Sequence, residues 1–401
     1  MKRILFVDDD ARELRRLREM FADMSLEWTM EFAESGEQAM ERMTKEPADV
    51  ILTNLLLPGM DGEKLLSLVR ERYPQAVRIA LCDESSRDTV MRVAGLVHQD
   101  LSLPCEPTEV KASIERALVL RDLLEDPSLK RLVSQVLSLP SMPDLYLKLL
   151  EELRGDDPDT GKISEIISRD MGMCAKMLQL VNSASFGLTR RIDGVAEAVQ
   201  YLGVETVKAL MLSLQIFALF ERVKMKEFSF ADLWRHGWIV GTLSRDIAAE
   251  EKVDARVKDQ AFLAGLLHDV GKLVLVTGVP DKYQVALRMH RQMSLPLWKT
   301  EHDIFGSTHA EAGAYLLALW GVSDPIVEAV ALHHRPLESP GEQFSPLTAV
   351  HVANALEHEL RGEAALCPID MDYLAQVGLT DKVPLWTNLA RELVAKDAKQ
   401  G

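Results

Sequence analysis

The chain has 401 residues, 46 Lys and Arg against 62 Asp and Glu, and a formal net charge of −16. At about 150 residues per domain this length gives two or three domains, and 47% hydrophobic with 27% charged residues excludes wholesale disorder. The negative balance argues against general nucleic-acid binding, which needs a cationic face.

The first 120 residues alternate. Ile4 to Val7 is a short apolar run, as expected of a strand buried on both faces. Leu14, Leu17 and Phe21 follow at helical spacing. Trp28 to Phe32 reads as a second strand, Gly36 to Met43 as a helix, and Val50 to Leu52 as a third strand. Pro58-Gly59 and Asp61-Gly62 mark a loop. Leu65, Leu66 and Val69 begin a helix, and Val77 to Leu81 is a fourth strand. A weaker fifth strand lies within Val97 to Leu103, and a last helix runs from Glu106 to about Leu124. This predicts a parallel sheet with helices on both faces. Such sheets carry their functional groups at the carboxyl ends of the strands. There the first strand presents Asp8, Asp9 and Asp10, and the third ends in Thr53-Asn54. A carboxylate cluster suits Mg²⁺; equally, one of the three can cap the next helix.

Beyond residue 122 helical stripes follow one another. Leu145, Leu149 and Leu153 recur every four residues; Ile163, Ile166 and Ile167 begin a helix, and Met177, Leu178 and Val181 the next. Val195, Val199 and Leu202 precede Gly203, a helix-ending glycine. Met171, Met173 and Met177 read as core, as does Leu210 to Phe220, and SASFG fixes a helix junction through Gly187. Leu347 to Leu356, Tyr373 to Leu379 and Leu385 to Leu393 are further helical pieces, with a frayed AKDAKQG end. Four cysteines without a CxxC pair exclude a disulfide scaffold. MKRILFVDDD is not a secretory leader, and Leu210 to Phe220 is too short to cross a bilayer. A cytoplasmic chain with no membrane partner is expected.

Eight of ten histidines lie between 261 and 360. Neutral imidazole is the commonest protein metal ligand, so this excess points to a metal site as readily as to chance. The run AFLAGLLHDVGKLVL, 261–275, reads as one apolar helix interrupted by His268 and Asp269. Buried charge needs a partner, either a metal or a hydrogen-bond network.

FVDDD, VILTNLLLPGMDG and the Leu103-Pro104 step together resemble a response-regulator receiver domain. The resemblance implies a flavodoxin-like, doubly wound, five-stranded parallel sheet. It implies an acidic Mg²⁺ pair at Asp8 and Asp9 and a phosphoacceptor at position 54. Here that position is Asn54, while the switch positions hold Cys82 and Leu103. An amide cannot readily form an acyl phosphate, leucine supplies no cation for phosphate, and a thiol is a weaker donor than a hydroxyl. The expectation is a pseudo-receiver, folded but not switched by phosphorylation.

LPSMPDL, IISRDMGMCAKMLQLVNSASFG, AVQYLG, LLHDVGKL, FGSTHAEAGAYLLALWG and ALHHRP resemble the HDOD domain, a helical relative of the HD phosphohydrolases. Such domains are regarded as interaction modules. By resemblance to the metal-binding relatives, His236, His268, Asp269, His309, His333 and His334 are the metal candidates, with Asn354 where the hydrolases carry Asp. Lys272 matches their HDxGK, while the GYP segment is absent. His290, His302, His351 and His358 are read as ordinary histidines. The expected organisation is a receiver at 1–122, a helical linker at 123–138, an HDOD domain at 139–336 and a helical extension at 337–401.

The expected function is a bacterial signalling adaptor, a non-phosphorylatable receiver coupled to a non-catalytic HDOD scaffold. Its partners are unidentified signalling proteins, with self-association open. The alternative is a metal-dependent phosphohydrolase of a cyclic dinucleotide or nucleotide. The cofactors to be tested are Mg²⁺ at Asp8 and Asp9, and a divalent transition metal at His268 and Asp269.

Overall fold

The computed structural model describes residues 2–22, 28–82, 93, 96–102, 107–124, 126–136, 139, 143–154, 158–182, 190–204, 206–207, 225 and 227–397. Leu103, the SASFG turn with Gly187, the Leu210 to Phe220 run and the last four residues lie outside the described residues.

The amino-terminal part is a five-stranded parallel sheet in the order β2-β1-β3-β4-β5. Its strands are β1 (Lys2–Val7), β2 (Trp28–Ala33), β3 (Val50–Asn54), β4 (Val77–Cys82) and β5 (Gln99–Ser102). Helices α1 (Ala11–Met20), α2 (Gly36–Lys45), α3 (Gly62–Arg72) and α4 (Pro107–Leu123) cover it. Crossing from β1 to β3 puts the switch point of the sheet between their carboxyl ends, where such folds bind ligands. Ile4 to Val7 and Val50 to Leu52 are nearly or fully buried, which is why they occur as unbroken apolar runs. Asp10 accepts from Arg12 N and caps α1, leaving Asp8 and Asp9 outside the cap.

The rest is helical. The first helices are α5 (Pro127–Gln135), α6 (Pro143–Arg154), α7 (Thr160–Ser168), α8 (Met171–Val181) and α9 (Val195–Leu202). The central group is α10 (Phe230–Glu250), α11 (Ala255–Leu267), α12 (Val270–Gly278), α13 (Pro280–Met293), α14 (Leu297–Phe305), α15 (His309–Leu319) and α16 (Asp324–Leu332). The closing helices are α17 (Pro346–Leu360), α18 (Met371–Gln376) and α19 (Val383–Asp397).

The single helix expected over 261–275 is in fact two. α11 stops at Leu267, His268 and Asp269 form the turn, and α12 restarts at Val270. Close crossings of glycine-bearing helices set this geometry. A Cβ on Gly265 would lie 2.8 Å from Gly241 Cα, and one on Gly271 would lie 1.9 Å from His309 O. The stretch Ala255–Gly278 is long and apolar enough to cross a membrane by composition, with mean hydropathy 1.4. It is 83% buried inside the helical core, where an apolar helix also belongs.

Candidate functional site

At the sheet's switch point, Asp8 is 2% exposed and Asp9 is exposed. Asn54 Nδ2 donates to Asp8 Oδ2 at 3.3 Å, and Asn54 Oδ1 accepts from Leu56 N at 3.0 Å. The amide at position 54 therefore bonds Asp8 and its own loop. Burial raises the Asp8 carboxyl above its ordinary value, against the hydrogen bonds from Asp10 N and Asn54 that lower it. Cys82 closes β4 and is buried.

In the helical part, α10, the α11–α12 turn, α15, α16 and α17 converge on one polar cluster within an apolar core. It holds His236, His268, Asp269, His309, His333 and His334 together. His236 Nδ1 faces the Glu357 carboxylate at 2.9 Å, His268 Nδ1 the Gly265 carbonyl at 2.6 Å, and His333 Nδ1 the Val330 carbonyl at 2.8 Å. His309 Nδ1 faces the Glu301 carboxylate at 2.5 Å. Carbonyls and carboxylates only accept, so in all four rings Nδ1 carries the proton and, in the neutral ring, Nε2 keeps its lone pair.

Those lone pairs converge. His236 Nε2 and His268 Nε2 stand 3.1 Å apart, with Asp269 Oδ2 at 3.6 and 3.4 Å from them. On the other side of the same carboxylate, His309 Nε2 is 3.1 Å from Asp269 Oδ1 and 3.2 Å from His334 Nε2. His333 Nε2 is buried without a hydrogen-bond partner. Two facing lone pairs repel unless a proton or cation lies between them. Outer oxygens holding Nδ1–H and aiming Nε2 inward are the arrangement that orients metal-ligating histidines. His236, His268 and Asp269 form one set of donors within 4.8 Å of one another, and His309, His333 and His334 form another. The donor chemistry fits divalent transition metals, with Asp269 positioned between the two sets.

The charges follow from burial. Burial pushes the His268 imidazole down to about 3 and holds His333 and His334 well below their ordinary value. Burial alone would raise Asp269, but His268 and Lys272 hold it well below the carboxylate range. Burial would lower His309, and Glu301 outweighs it, raising the ring.

Three neighbours were not legible as site residues. Glu357 lies one turn after Asn354, and Glu301 is fully buried. His358, read as ordinary, meets the His236 ring edge-on with centroids 5.2 Å apart and joins it and Glu357 in a third donor group. His351 is structural: Nδ1 meets His333 O, and Nε2 accepts from Asp370 N. Asn354 donates to Cys367 Sγ and leaves Oδ1 unpartnered.

Residues 4–115 match the response regulator receiver domain family, and residues 139–336 match the HDOD domain family. The chain is a receiver domain joined to an HDOD domain. This is a signal-transduction architecture. A curated relative is an uncharacterized protein of Treponema pallidum, 24% identical over 260 residues, 64% of this chain and 50% of that one. The hydrogenase transcriptional regulatory protein HoxA of Cupriavidus necator is 27% identical over 127 residues, 31% of this chain and 25% of that one. The chain thus spans half or less of the length of these relatives. Among solved structures, the MmoQ response regulator of Methylococcus capsulatus is 24% identical, covers 62% of this chain and 98% of its own, and has a TM-score of 0.49.

The receiver meets the linker helix α5 and the HDOD domain along a polar seam. Arg78 on β4 is fully buried; its Nε donates to Leu96 O at 2.7 Å and its Nη2 to Ser134 O on α5 at 3.2 Å. His98 accepts from Arg78 N through Nδ1, so its Nε2–H meets Ser134 O at 2.8 Å. Gln99 Nε2 on β5 donates to Ala318 O on α15 at 2.7 Å. The Ser134 and Ala318 carbonyls lie near helix carboxyl ends, where positive charge is favoured. Burial brings the Arg78 guanidinium down to about 10, so it remains charged at neutral pH.

Proposed function

We propose that the chain is a signalling adaptor in which a receiver not switched by phosphorylation sits on an HDOD scaffold, and that the scaffold's histidine cluster holds a divalent metal in a structural role. One observation carries this reading. Helix α15 opens with His309 in the cluster and ends at the seam, where Ala318 O accepts from the receiver's Gln99. A helix moves as a unit, so a change at β5 is transmitted to the cluster over about 14 Å.

Burial supports the structural role. His268, His309 and His333 are 0% exposed and Asp269 is 1% exposed, whereas catalytic metal sites keep an open position for water or substrate. The two donor sets on either side of Asp269 favour a second reading, phosphodiester hydrolysis, because a bound metal would supply an activated water. Metal content and turnover separate the two. The purified full chain is expected to carry stoichiometric transition metal, lost in Asp269→Ala. It is expected to turn over no member of a cyclic dinucleotide and phosphodiester panel with Mn²⁺ or Fe²⁺. Metal-dependent turnover would replace the adaptor reading with the enzyme.

At the receiver, acetyl phosphate with Mg²⁺ is expected to leave no stable label. Asn54→Asp alone should not restore switching, because Leu103 still supplies no cation. Mass spectrometry of the intact protein checks the first, and thermal unfolding of Asn54→Asp with and without acetyl phosphate checks the second; a phosphorylated wild-type chain would contradict the receiver half of the reading.

A further inference from the structure

The cluster already contains a cation of its own. Lys272 lies three residues after Asp269 on α12, and its Nζ is 2.6 Å from Asp269 Oδ2. That is the oxygen facing His236 Nε2 and His268 Nε2. The Lys272 side chain is 16% exposed and Asp269 is 1% exposed, so water screens the pair weakly. The Lys272 ammonium borders both donor sets through this carboxylate, since Asp269 Oδ1 lies 3.1 Å from His309 Nε2. Its field therefore reaches both sides of the cluster. The carboxylate in line to offset it is missing, because position 354 is Asn and its Oδ1 has no partner. Glu357, one turn on, is engaged by Arg361 through Oε1 and by His236 through Oε2.

We propose that Lys272 is the resident counter-ion of this centre and sets its metal affinity. In the metal-free protein the ammonium neutralises Asp269. When a divalent ion binds the His236, His268 and Asp269 donors, the ammonium must share that oxygen or withdraw toward solvent. Sharing places like charges close together in a poorly screened site, and withdrawal gives up the ion pair with Asp269, so either outcome opposes metal binding. The metal is thereby held less tightly than the donor set alone would hold it. This inference rests on the reading that the cluster takes a divalent metal.

The test is Zn²⁺ binding to the metal-free full chain, by competition with a chromophoric chelator, alongside thermal unfolding. Lys272→Gln keeps a donor for Asp269 and removes the charge; Lys272→Arg keeps the charge. Expected is Zn²⁺ binding at least about tenfold tighter in Lys272→Gln than in wild type, with Lys272→Arg like wild type. The metal-free Lys272→Gln protein is expected to melt below wild type and to gain more from Zn²⁺. Stoichiometric binding by wild type with equal or weaker binding by a folded Lys272→Gln overturns the role of Lys272 alone. Should Lys272→Gln fail to fold, Lys272→Met, which also removes the charge, takes its place: Zn²⁺ binding tighter than wild type supports the proposal, and equal or weaker binding by the folded protein overturns it. No binding by wild type or either variant overturns this proposal and the metal reading together.

Discussion

Gly271→Ala should be among the most damaging single substitutions in the chain, at about 3 kcal/mol or more of lost stability. A Cβ at this position would meet His309 O at 1.9 Å and Gly313 N at 2.8 Å, both backbone atoms of α15. No flexible side-chain end can swing away, so α12 and α15 must separate. That separation disturbs the cluster directly. Asp269 immediately precedes α12 and His309 opens α15, and the 3.1 Å approach of Asp269 Oδ1 to His309 Nε2 depends on the crossing. Urea unfolding and Zn²⁺ uptake should therefore fail together. Gly378→Ala is the control: it stands at φ +73 with open space around it, so only backbone strain of about 1 kcal/mol is expected, and no change in metal binding. Equal costs for the two substitutions would mean the crossing is not tight.

The same contact explains what could and could not be read beforehand. The strands were legible because a strand buried on both faces must be apolar throughout, as Ile4 to Val7 is. The break at His268 was not, because 261–275 is apolar on either side of it and periodicity carries no mark of a turn made by helix crossing. The glycine of HDVGK was the available signal: it marks a close backbone approach rather than helix-forming preference.

The cluster was legible in its histidines and not in its carboxylates. Glu357 and Glu301 look like solvated charges in sequence, yet both hold an imidazole Nδ1. Glu357 could have been found from its three-residue spacing from Asn354, which puts both on one helix face. Glu301 could not, since it reaches His309 across the α14–α15 turn. Arg78 is not singled out by reading Val77 to Leu81 as a strand, although it is a cation in an otherwise apolar run. Its partners are carbonyls of Leu96 and Ser134, and backbone acceptors leave no trace in side-chain identity.

The second large effect is acid destabilisation, beginning below pH of about 6.5. His98, His268, His333, His334, His351 and His358 all titrate below their ordinary value, each chiefly through burial. In that window the unfolded chain binds more protons than the folded one, so stability rises with pH and is lost on acidification. Each such group costs up to about 1.4 kcal/mol per pH unit. His309 opposes them: its pKa is raised, so its contribution is complete below about 6.5 and lost as pH rises through the folded value. Asp269 is depressed, so its contribution persists through this window and is lost only below about 4. Six rings titrate this way against one that opposes them, so a net loss of stability is expected across this window. Thermal melts from pH 7.5 to 5.0 should show a steep fall in Tm, and a flat profile to pH 5.5 would contradict the assignment of neutral buried rings. Saturating Zn²⁺ should raise the whole curve and steepen it, because the inward Nε2 lone pairs bind either a proton or a metal and not both.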